Sequence, residues 1–243
     1  MNSKIITVIT ATYNSSHTLQ NLFDSIRQQT NNKFDWIIAD GGSVDDTLAI
    51  INNNIDIVTL LLKGPDFGIY DAINRAILKV STPYYLVLGG DDVLEPKAIE
   101  LYSQAAFDSQ ADIITANVFT KEFGLLFPGR GRPVKLNHLY YVSQHAVGSL
   151  IKTSLHEYIG LYSKYYPIAA DKYFLLTAIH KYKCNIYHAD FTAGTYSYNG
   201  ISVSRYYDAL LDSFKVDYAL SDNHLKIVIK SLITYIRHIH RFI

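Results

Sequence analysis

Two adjacent carboxylates, Asp91 and Asp92, follow an apolar run, YYLVL, that predicts a buried strand. Like charges placed side by side repel each other unless a cation or solvent relieves them. Hard oxygen ligands of this kind suit Mg²⁺ or Mn²⁺ when the ion is bound jointly with a substrate diphosphate. The pair is therefore a candidate metal site, and solvated surface acids are the alternative interpretation.

Three more loops with polar, glycine or acidic residues follow apolar runs nearer the N-terminus: TATYN (10–14), ADGGSVDD (39–46) and KGPDFG (63–68). Ligands of open α/β sheets bind outside the carboxyl ends of the strands, so these loops and GGDD predict one shared crevice. DGGS is also typical of a plain turn. Some of the polar residues also suit helix N-caps, namely Asn14, Ser15, Ser16, Asp45 and Asp46.

Strands and helices in regular alternation must position these loops over the first 120 residues. The β-rich runs are IITVITA (Ile5–Ala11), DWIIAD, DIVTLLL (Asp56–Leu62), YYLVL (Tyr84–Leu88) and, as a fifth candidate, DIITANV. Helical patterns run from about Ser15 to Gln29, from near Val44, and from Ile69 to Lys79. Apolar strands joined by crossover helices predict an α/β fold, a Rossmann-like, mostly parallel central sheet flanked by helices on both faces.

The composition excludes several classes of protein. With 49% hydrophobic and 18% charged residues among 243, the chain has enough apolar side chain for a packed core, which excludes disorder. The single cysteine, Cys184, excludes an intrachain disulfide framework and a cysteine-rich zinc site, so we expect a reducing compartment. The N-terminus does not resemble a signal peptide, and no run of about 18 apolar residues occurs. The expected location is cytoplasmic, including the inner face of the cytoplasmic membrane.

Charge is distributed unevenly although the formal net charge is zero. Residues 1–120 carry 7 basic and 14 acidic side chains, whereas residues 121–243 carry 15 basic and 8 acidic side chains. A dipolar surface without functional consequence is one interpretation. The other is an acidic, metal-binding half joined to a basic half that meets phosphates or anionic lipid.

Four segments, ITVITATYN, DWIIADGGSVDDT, GPDFGIYDAINRAI and YYLVLGGDD, resemble in order and spacing the family 2 inverting glycosyltransferases with the GT-A fold. They are similar in particular to small bacterial enzymes of O-antigen, colanic acid and capsule assembly, over about residues 5–205. In that family the Asp at the end of the second strand, Asp40 here, recognises uracil, and the pattern DxGxxxAxN places Asp66 near the ribose or donor sugar. The nucleotide and donor residues implied by the resemblance are Thr10, Ala11, Thr12, Tyr13, Asn14, Asp40, Gly41, Asp66, Gly68, Asn74 and Asp91, with Ala72 completing the pattern.

The family's metal motif is usually written DxD and is often extended by another Asp. It corresponds here to Gly89, Gly90, Asp91 and Asp92, so Gly89 stands where the leading Asp is expected. The resemblance therefore assigns Mn²⁺ or Mg²⁺ to Asp91 and Asp92 jointly and leaves open which carboxylate binds the ion directly.

On the acceptor side, the segment VSQHAVGSLIKTSLHEYIGLYSKYYPIAADKYFLLTAI resembles the corresponding stretch of these enzymes and matches Asp171 to their general base. That role requires a carboxylate close to the acceptor hydroxyl. A helix N-cap is the alternative for Asp171. His145 is a candidate donor to phosphate or acceptor, with a purely structural role as the alternative. The stretch SYNGISVSR resembles a loop that closes over the donor, which makes Gly200, Ser202 and Arg205 candidates for a lid.

The resemblance thus implies a hexosyltransferase that moves a sugar from a UDP-sugar to an acceptor hydroxyl by a single displacement with inversion. The expected acceptor is a saccharide or a polyprenyl-diphosphate-linked saccharide in surface polysaccharide assembly. TATYNSS lacks the GxGxxG of a nicotinamide dehydrogenase. A catalytically silent nucleotide-sugar binding protein stays open because of Gly89, as does a sugar nucleotidyltransferase, although the Gly-rich, basic N-terminal loop of that class is absent. Basic residues are dispersed, so no nucleic-acid partner is expected.

We divide the chain into a GT-A domain, residues 1–205, and a C-terminal helical segment, residues 206–243. Within the domain, about 1–120 forms the nucleotide-sugar half and about 121–205 the acceptor half. From 222 to 243, apolar residues recur at helical spacing beside basic residues. Packing of this helix against the domain is one explanation of the stripe. The other is an interfacial amphipathic helix that contacts a membrane bearing the acceptor.

Overall fold

A computed structural model describes residues 3–128, 145–197 and 200–238. Its strands form one sheet, and helices cover both faces of that sheet. The strands are β1 (Ile6–Thr12), β2 (Asp35–Asp40), β3 (Leu60–Lys63), β4 (Tyr84–Gly89), β5 (Val93–Leu94), β6 (Ile113–Thr120), β7 (Gly124–Leu126), β8 (Ser149–Lys152) and β9 (Ile186–Thr195). Their order across the sheet is β3-β2-β1-β4-β8-β6-β9-β5, and β7 pairs with β6.

The sheet has a parallel half and a mixed half. β1 runs parallel to β2 and β4, and β2 runs parallel to β3. β8 is antiparallel to both β4 and β6, whereas β9 is parallel to β6 and antiparallel to β5. The predicted α/β class, with helices on both faces, is confirmed, and its parallel part comprises the first four strands of the order. β8 departs from it, since this strand is antiparallel to both of its neighbours and a short 3₁₀ turn (Ala146–Gly148) leads directly into it.

The helices form a layer on each face of the sheet. In chain order they are α1 (Leu19–Arg27), α2 (Thr47–Asn53), α3 (Ile69–Ile77), α4 (Ala98–Ser109), α5 (Leu155–Ile159), α6 (Ala170–His180), α7 (Ile201–Ser204), α8 (Tyr206–Ala219) and α9 (His224–His238). α1, α2 and α4 pack on one face, and α3, α5 and α6 pack on the other.

Apolar periodicity decides which side of each helix meets the sheet. In α1 the predicted stripe of Leu19, Leu22, Phe23 and Ile26 is buried, and the Phe23 ring centroid lies 4.7 Å from that of Trp36 on β2. Full burial of an apolar side chain of this size stabilises the fold by about 1.5–3 kcal/mol. The burial of this stripe fixes α1 and, with it, the loop that leads from β1 into α1.

The third strand begins later than predicted. Instead of starting at Asp56, β3 begins at Leu60, and Ile55–Ile57 forms a 3₁₀ turn. The pairing with β2 explains the difference, because Leu60 lies opposite Ile37 and the ladder starts at that pair. The apolar run alone does not distinguish the turn from the strand.

The N-cap interpretations are wrong for Asp46 and Asp171, whereas Asp45 Oδ1 does accept from the N–H of Thr47, the first residue of α2, at 3.0 Å. Thr18 precedes α1 and Asp46 precedes α2, and neither side chain makes a capping hydrogen bond. Ala169 precedes α6, so Asp171 lies inside the first turn of that helix. The polar side chains at these positions are therefore available for other contacts.

The C-terminal segment forms two helices with different surroundings. α8 packs on α6, where Val216 joins Ala169 and Leu176 in a small buried cluster. α9 packs against α8. Its apolar residues keep between 36% and 71% of their surface exposed, namely Leu225, Val228, Ile229, Leu232, Ile233 and Ile236. Of the helices in the described ranges, none combines the length and the hydropathy needed to span a bilayer.

Candidate active site

The loops after β1 and β2 are joined by hydrogen bonds at the carboxyl ends of these strands. The N–H of Asn14 donates to Ser43 Oγ at 2.9 Å, and Asn14 Oδ1 accepts from the N–H of Val44 at 2.9 Å. Asn14 has a φ of +49°, a left-handed conformation that Asn adopts more readily than most residues. The two loops form one continuous surface beside the ring of Tyr13, which is 63% exposed.

Asp40 lies fully buried at the end of β2 and organises the loop that follows. Its Oδ1 accepts from the N–H groups of Gly42 and Ser43 at 3.0 and 2.9 Å. Its Oδ2 accepts from the hydroxyls of Ser43 and Thr12 at 2.6 and 3.0 Å. A carboxylate has about four acceptor positions, so these four bonds use its capacity within the protein. Asp40 therefore organises this loop together with Thr12, and its recognition of uracil stays a prediction.

The loop after β3 reaches the same place through a close contact at Gly41. Asp66 Oδ2 lies where a side chain at residue 41 would collide with it, so only glycine permits this approach. Asp66 Oδ1 accepts from the N–H of Gly68 at 2.9 Å. Gly68 has a φ of +109°, a conformation that favours glycine. These contacts direct the second carboxylate oxygen of Asp66 toward the joined loops.

The two carboxylates of the candidate metal site lie over Gly89 at the end of β4. Asp92 is 1% exposed, its Oδ2 accepts from the N–H of Gly89 at 2.6 Å, and its Oδ1 has no hydrogen-bond partner. A Cβ on Gly89 would lie 2.8 Å from Asp91 Oδ1, so the missing side chain makes room for this carboxylate. Burial raises the pKa of Asp92, and the charge of Asp91 adds to the increase.

These residues fit a divalent cation that takes part of its coordination from a substrate. A buried carboxylate oxygen without a partner is costly, and a cation nearby relieves that cost. Within the described ranges no cluster of three or more His, Cys, Asp or Glu side chains would hold an ion alone. Two carboxylates completed by diphosphate oxygens match the usual way in which Mg²⁺ is bound.

The loop after β4 also contacts the loop after β1. Thr18 Oγ1 donates to the carbonyl of Gly90 at 2.9 Å. A Cβ on Gly90 would lie 3.1 Å from Ser15 Oγ, so the two loops touch with little space between them. The four polar loops therefore meet at one edge of the sheet, as the sequence predicts.

His145 lies between the acidic pair and Asp171. Its Nδ1 is 3.8 Å from Asp92 Oδ1, and its ring stacks on Tyr196 with centroids 4.2 Å apart and planes 7° apart. Burial lowers the pKa of His145 to about 4, although the charges of Asp91 and Asp171 oppose the decrease. The imidazole is therefore neutral at pH 7. Asp91 and Asp171 are thus both close enough to His145 to act on it electrostatically.

Asp171 is exposed on the first turn of α6 and contacts α3. The N–H of Lys172 donates to Asp171 Oδ1 at 2.7 Å, and the Tyr70 hydroxyl also hydrogen-bonds the carboxylate. Desolvation by the surrounding protein raises the pKa of Asp171, while these hydrogen bonds and His145 lower it. A solvent-accessible carboxylate with a raised pKa is suited to accept a proton from a hydroxyl.

Some residues that the resemblance places on the nucleotide have their side chains occupied elsewhere. Thr10 is fully buried, and its Oγ1 accepts from Trp36 Nε1 at 3.0 Å. Asn74 is buried on α3, where its amide donates to the carbonyl of Tyr162 and accepts from the N–H of Tyr162, both at 2.9 Å. Ala11 is partly buried and packs in the core. Thr10 therefore belongs to the core, and Asn74 tethers the segment that leads into α6.

The three lid candidates lie around the start of α8. Gly200 precedes α7, Ser202 is an exposed residue of α7, and Arg205 Nη2 pairs with Asp208 at 2.7 Å. These contacts are local, so the lid role stays a prediction. Residues 198–199 of the same stretch lie outside the described residues.

Sequence reasoning missed Ser43, Tyr70 and Tyr196. Ser43 completes the Asp40 loop, Tyr70 contacts the candidate base, and Tyr196 stacks on His145. Tyr70 lies within the DxGxxxAxN pattern and Ser43 lies within ADGGSVDD, so both belong to motifs that the sequence analysis singles out. Tyr196 carries no comparable signal, because it reaches the site only through the pairing of β9 with β6.

Comparisons with known proteins identify a matching family and a relative. A family model described as Glycosyl transferase family 2 matches residues 7–166. A PGL/p-HBAD biosynthesis glycosyltransferase of Mycobacterium tuberculosis is 29% identical over 177 residues, which cover 70% of this chain and 68% of the relative.

Solved structures share the fold. S. aureus TarS 1–349 in complex with UDP aligns with a TM-score of 0.71 and 16% identity, over 95% of this chain and 71% of that chain. Glucosyl-3-phosphoglycerate synthase from Mycobacterium tuberculosis, in complex with Mn²⁺, UDP and glucosyl-3-phosphoglycerate, aligns with a TM-score of 0.60 and 12% identity, over 88% of this chain and 80% of that chain. At these identities the likeness shows a common architecture.

Proposed function

Because the chain belongs to glycosyl transferase family 2, we propose that it is an inverting transferase that moves a sugar from a UDP-sugar to an acceptor hydroxyl. The observation that supports this most directly is the position of His145, whose Nδ1 lies 3.8 Å from Asp92 Oδ1 in the acidic pair and which also interacts electrostatically with Asp171. A site for the leaving diphosphate and a base for the acceptor would thus border the same space, and a single displacement requires that proximity.

The joined loops after β1, β2 and β3 form the proposed donor site. Tyr13 offers an exposed ring for stacking on a base, and Asp66 directs one carboxylate oxygen toward the same loops. Asp40 shapes this pocket from inside through the hydrogen bonds of its loop. UDP is the proposed leaving group because TarS 1–349 and the mycobacterial synthase were both solved with UDP. The proposed donor residues are Thr12, Tyr13, Asn14, Gly41, Asp66, Gly68 and Asp91.

Asp91 is the proposed direct ligand of Mn²⁺ or Mg²⁺. Asp92 is buried and bonds the backbone of its own turn, whereas Asp91 is partly exposed next to it. When bound, the ion offsets the negative charge that grows on the diphosphate as UDP leaves. The mycobacterial synthase was solved with Mn²⁺ and UDP together.

Asp171 is the proposed general base. It takes the proton of the acceptor hydroxyl while the hydroxyl oxygen bonds to the anomeric carbon of the donor sugar. The bond from that carbon to the UDP oxygen breaks with its electron pair on UDP, and the configuration inverts.

Calorimetric titration of UDP into the full chain, with and without Mn²⁺, tests the donor site. We expect binding that requires Mn²⁺ in the wild type and is lost in Asp91→Asn, because this variant removes a negative ligand and keeps the shape of the side chain. Asp108→Asn, which neutralises an exposed acid of α4, is the matched control and should bind UDP as the wild type does. Binding that is indifferent to Mn²⁺ and to Asp91 would overturn the metal assignment, and no binding at all would overturn the donor assignment.

A catalytically silent nucleotide-sugar binding protein is the second candidate, and Gly89 favours it because the leading acid of the metal motif is missing. The structure offers a compensation for this absence, since Asp91 occupies the space beside Gly89. Release of UDP from a UDP-sugar in the presence of an acceptor separates the two functions. Metal-dependent UDP binding without any transfer would favour the silent protein.

The proposed acceptor is a polyprenyl-diphosphate-linked saccharide in surface polysaccharide assembly, reached at the inner face of the cytoplasmic membrane. The support comes from α9, whose apolar stripe is exposed along four turns. Helix α9 carries Lys226, Lys230 and Arg237 and no acidic residue. An exposed apolar face flanked by basic side chains complements an anionic bilayer surface. The alternative is packing of the stripe against the rest of the fold, and α9 does contact α8, but the stripe residues keep 36–71% of their surface exposed.

Flotation of the full chain with vesicles tests this contact. We expect the wild type to float with vesicles that contain phosphatidylglycerol and to float less with pure phosphatidylcholine. Leu232→Glu places a charge in the stripe and should abolish flotation. Phe107→Glu removes an equally exposed apolar residue from α4 and should leave flotation unchanged. A wild type that floats with neither vesicle would overturn the membrane contact.

A further inference from the structure

The backbone of Ile168, three residues before Asp171, is hydrogen-bonded at both its N–H and its carbonyl. Asp212 Oδ2, on α8, accepts from the N–H of Ile168 at 2.9 Å. The Tyr70 hydroxyl, on α3, donates to the carbonyl of Ile168 at 3.2 Å and is close enough to the carboxylate of Asp171 to lower its pKa. Asp212 is only 5% exposed, so the bond that it accepts is well protected from water.

A second contact with α8 lies on the other side of Asp171. Lys172 Nζ pairs with Asp217 Oδ1 at 2.5 Å and donates to Ser213 Oγ at 2.6 Å. The Lys172 and Asp217 side chains are 14% and 16% exposed, so solvent screens this pair less than a surface ion pair. Asp217 Oδ2 also pairs with Lys230 of α9 at 3.3 Å, which extends the contact to the C-terminal helix.

The start of α6 depends on these contacts because its own sequence does little to fix it. Ala169 is the N-cap residue and offers no side-chain hydrogen bond to the first turn. Helix ends of this kind need partners from elsewhere in the fold. Here the partners bond residue 168 just before the helix and residue 172 inside its first turn, and Asp171 lies between them.

We propose that Asp212 and Asp217 of α8 are positioning residues that hold Asp171 against the donor site, so that α8 is part of the catalytic unit. This inference rests on the proposed function, in which Asp171 is the base. It also changes where the chain is divided into the domain and the C-terminal segment. The sequence separates residues 206–243 from the domain, whereas these contacts make α8 a support of the base and leave α9 as the outer helix.

A double-mutant cycle between Asp212 and Asp171 tests the inference in the full chain. The assay measures UDP release with Mn²⁺ from whichever of UDP-glucose, UDP-galactose or UDP-N-acetylglucosamine the wild type turns over, with polyprenyl-diphosphate-linked N-acetylglucosamine as acceptor. Displacement of a catalytic group by about 1 Å can cost about 100-fold in rate. We expect Asp212→Ala to lower kcat by about 10- to 100-fold and to leave the KM for the UDP-sugar unchanged within about twofold.

The cycle distinguishes positioning from general stability. In the background of Asp171→Asn, Asp212→Ala should cause no further loss, because residues that act through one group are not additive. Asp212→Asn keeps an oxygen that accepts from the N–H of Ile168 and should restore most of the turnover. Lys215→Gln is the control, because it removes the exposed partner of Asp212 and leaves the bond to Ile168 in place. All variants are assayed at a temperature at which circular dichroism shows them folded.

The outcomes separate this inference from the function on which it rests. If Asp171→Asn keeps the turnover of the wild type, the base assignment is wrong. If Asp171→Asn loses turnover but Asp212→Ala does not, or if the two losses add in the double variant, the positioning role alone is wrong. Should Asp212→Ala fail to fold, a double-mutant cycle between Asp217 and Asp171 replaces it, because Asp217 pairs with Lys172. Asp217→Asn should then lower kcat by itself and cause no further loss in the background of Asp171→Asn.

Discussion

The donor loops and the helix that carries the base are held in place in different ways. Loops on the donor side hydrogen-bond to their nearest neighbours along the sheet edge, as Asn14 does with Ser43. Asp171 depends instead on side chains from distant parts of the chain, such as Tyr70 on α3 and Asp212 on α8. Nucleotide binding and sugar transfer should therefore fail separately when residues of one region are changed.

Asp171→Asn should have the largest effect, and this effect should be confined to sugar transfer, the function of the base side. The variant keeps the shape of the side chain but cannot take the proton of the acceptor hydroxyl. General-base assistance contributes about 10²- to 10⁴-fold in rate, so kcat should fall by that factor. UDP affinity, measured by calorimetry with Mn²⁺, should stay at the value of the wild type because the donor loops are untouched.

The control for this variant is Asp108→Asn, the same change at an exposed acid of α4. It should leave both kcat and UDP affinity unchanged. If Asp171→Asn weakened UDP binding as strongly as it slowed transfer, the two regions would not be separable and the comparison would be wrong.

Gly41→Ala should have the opposite pattern, with a large effect on UDP affinity and a smaller effect on kcat. The added Cβ collides with the Asp66 carboxylate and must displace it or the loop that carries it. The Asp66 carboxylate is the end of a flexible side chain, so it can turn away without unfolding the chain, but it then leaves its place beside the joined loops. A lost hydrogen bond to a charged group costs about 1.5–3 kcal/mol, so we expect the dissociation constant of UDP to rise by roughly tenfold or more. The kcat at saturating UDP-sugar should change less, because Asp171 keeps its contacts. Unchanged UDP affinity in a folded Gly41→Ala would show that Asp66 does not shape the donor site.

The same contrast explains how much of the fold the sequence predicts. The run Tyr84–Leu88 and the pattern Ile69–Lys79 became β4 and α3 with end shifts of one or two residues, because local hydrophobic periodicity defines these elements. The insertion of β8 between β4 and β6 was not predicted. It depends on pairing between residues such as Leu86 and Leu150, which are far apart in the chain, and no local pattern encodes that choice.

Within the candidate site, local patterns predicted where residues lie better than what their side chains do. The predicted loops meet as expected, yet Thr10 points into the core. Strand alternation contains that information, because Thr10 lies on the same face as Ile6 and Val8, both of which are buried. The tether between Asn74 and Tyr162 could not be predicted, since it joins positions far apart in the chain and no sequence pattern links them.

Tyr70→Phe should have a smaller effect that appears in the pH dependence of transfer. Desolvation raises the pKa of Asp171, whereas the hydroxyl of Tyr70 and the N–H of Lys172 lower it, as does His145 when it is protonated. Tyr162 also interacts electrostatically with the carboxylate. Loss of the hydroxyl should raise the pKa of Asp171 further. Asp171 acts as a base only when ionised, so the acid limb of kcat/KM should move to higher pH.

The measurement is the pH profile of kcat/KM for the wild type and for Tyr70→Phe, with UDP affinity measured at each pH. UDP affinity should follow the same curve in both proteins, because the donor loops do not contact the Tyr70 hydroxyl in the described residues. An acid limb that stays in place would show that this hydroxyl does not act on the catalytic base.

The smallest expected effect concerns stability and again separates the two regions. On the base side, His156 Nδ1 bonds the carbonyl of Gly160 at 2.9 Å and His156 Nε2 bonds the hydroxyl of Tyr85 at 2.9 Å. Burial lowers the pKa of His156, whereas an unfolded chain binds the proton at a pKa of about 6.5. As pH falls below about 6.5, the unfolded state binds a proton that the folded state does not bind, and the free energy of unfolding decreases.

His156→Gln removes this contribution, so its free energy of unfolding should fall less than that of the wild type between pH 7.5 and pH 5.5 in urea titrations. One proton limits the difference to about 1.4 kcal/mol per pH unit. His17→Gln, at an exposed histidine of the donor side, is the matched control and should keep the slope of the wild type. Equal slopes in all three proteins would mean that protonation of His156 is tolerated in the fold. The base side would then be held by its ion pairs and hydrogen bonds to α8 and α3 without help from a neutral histidine.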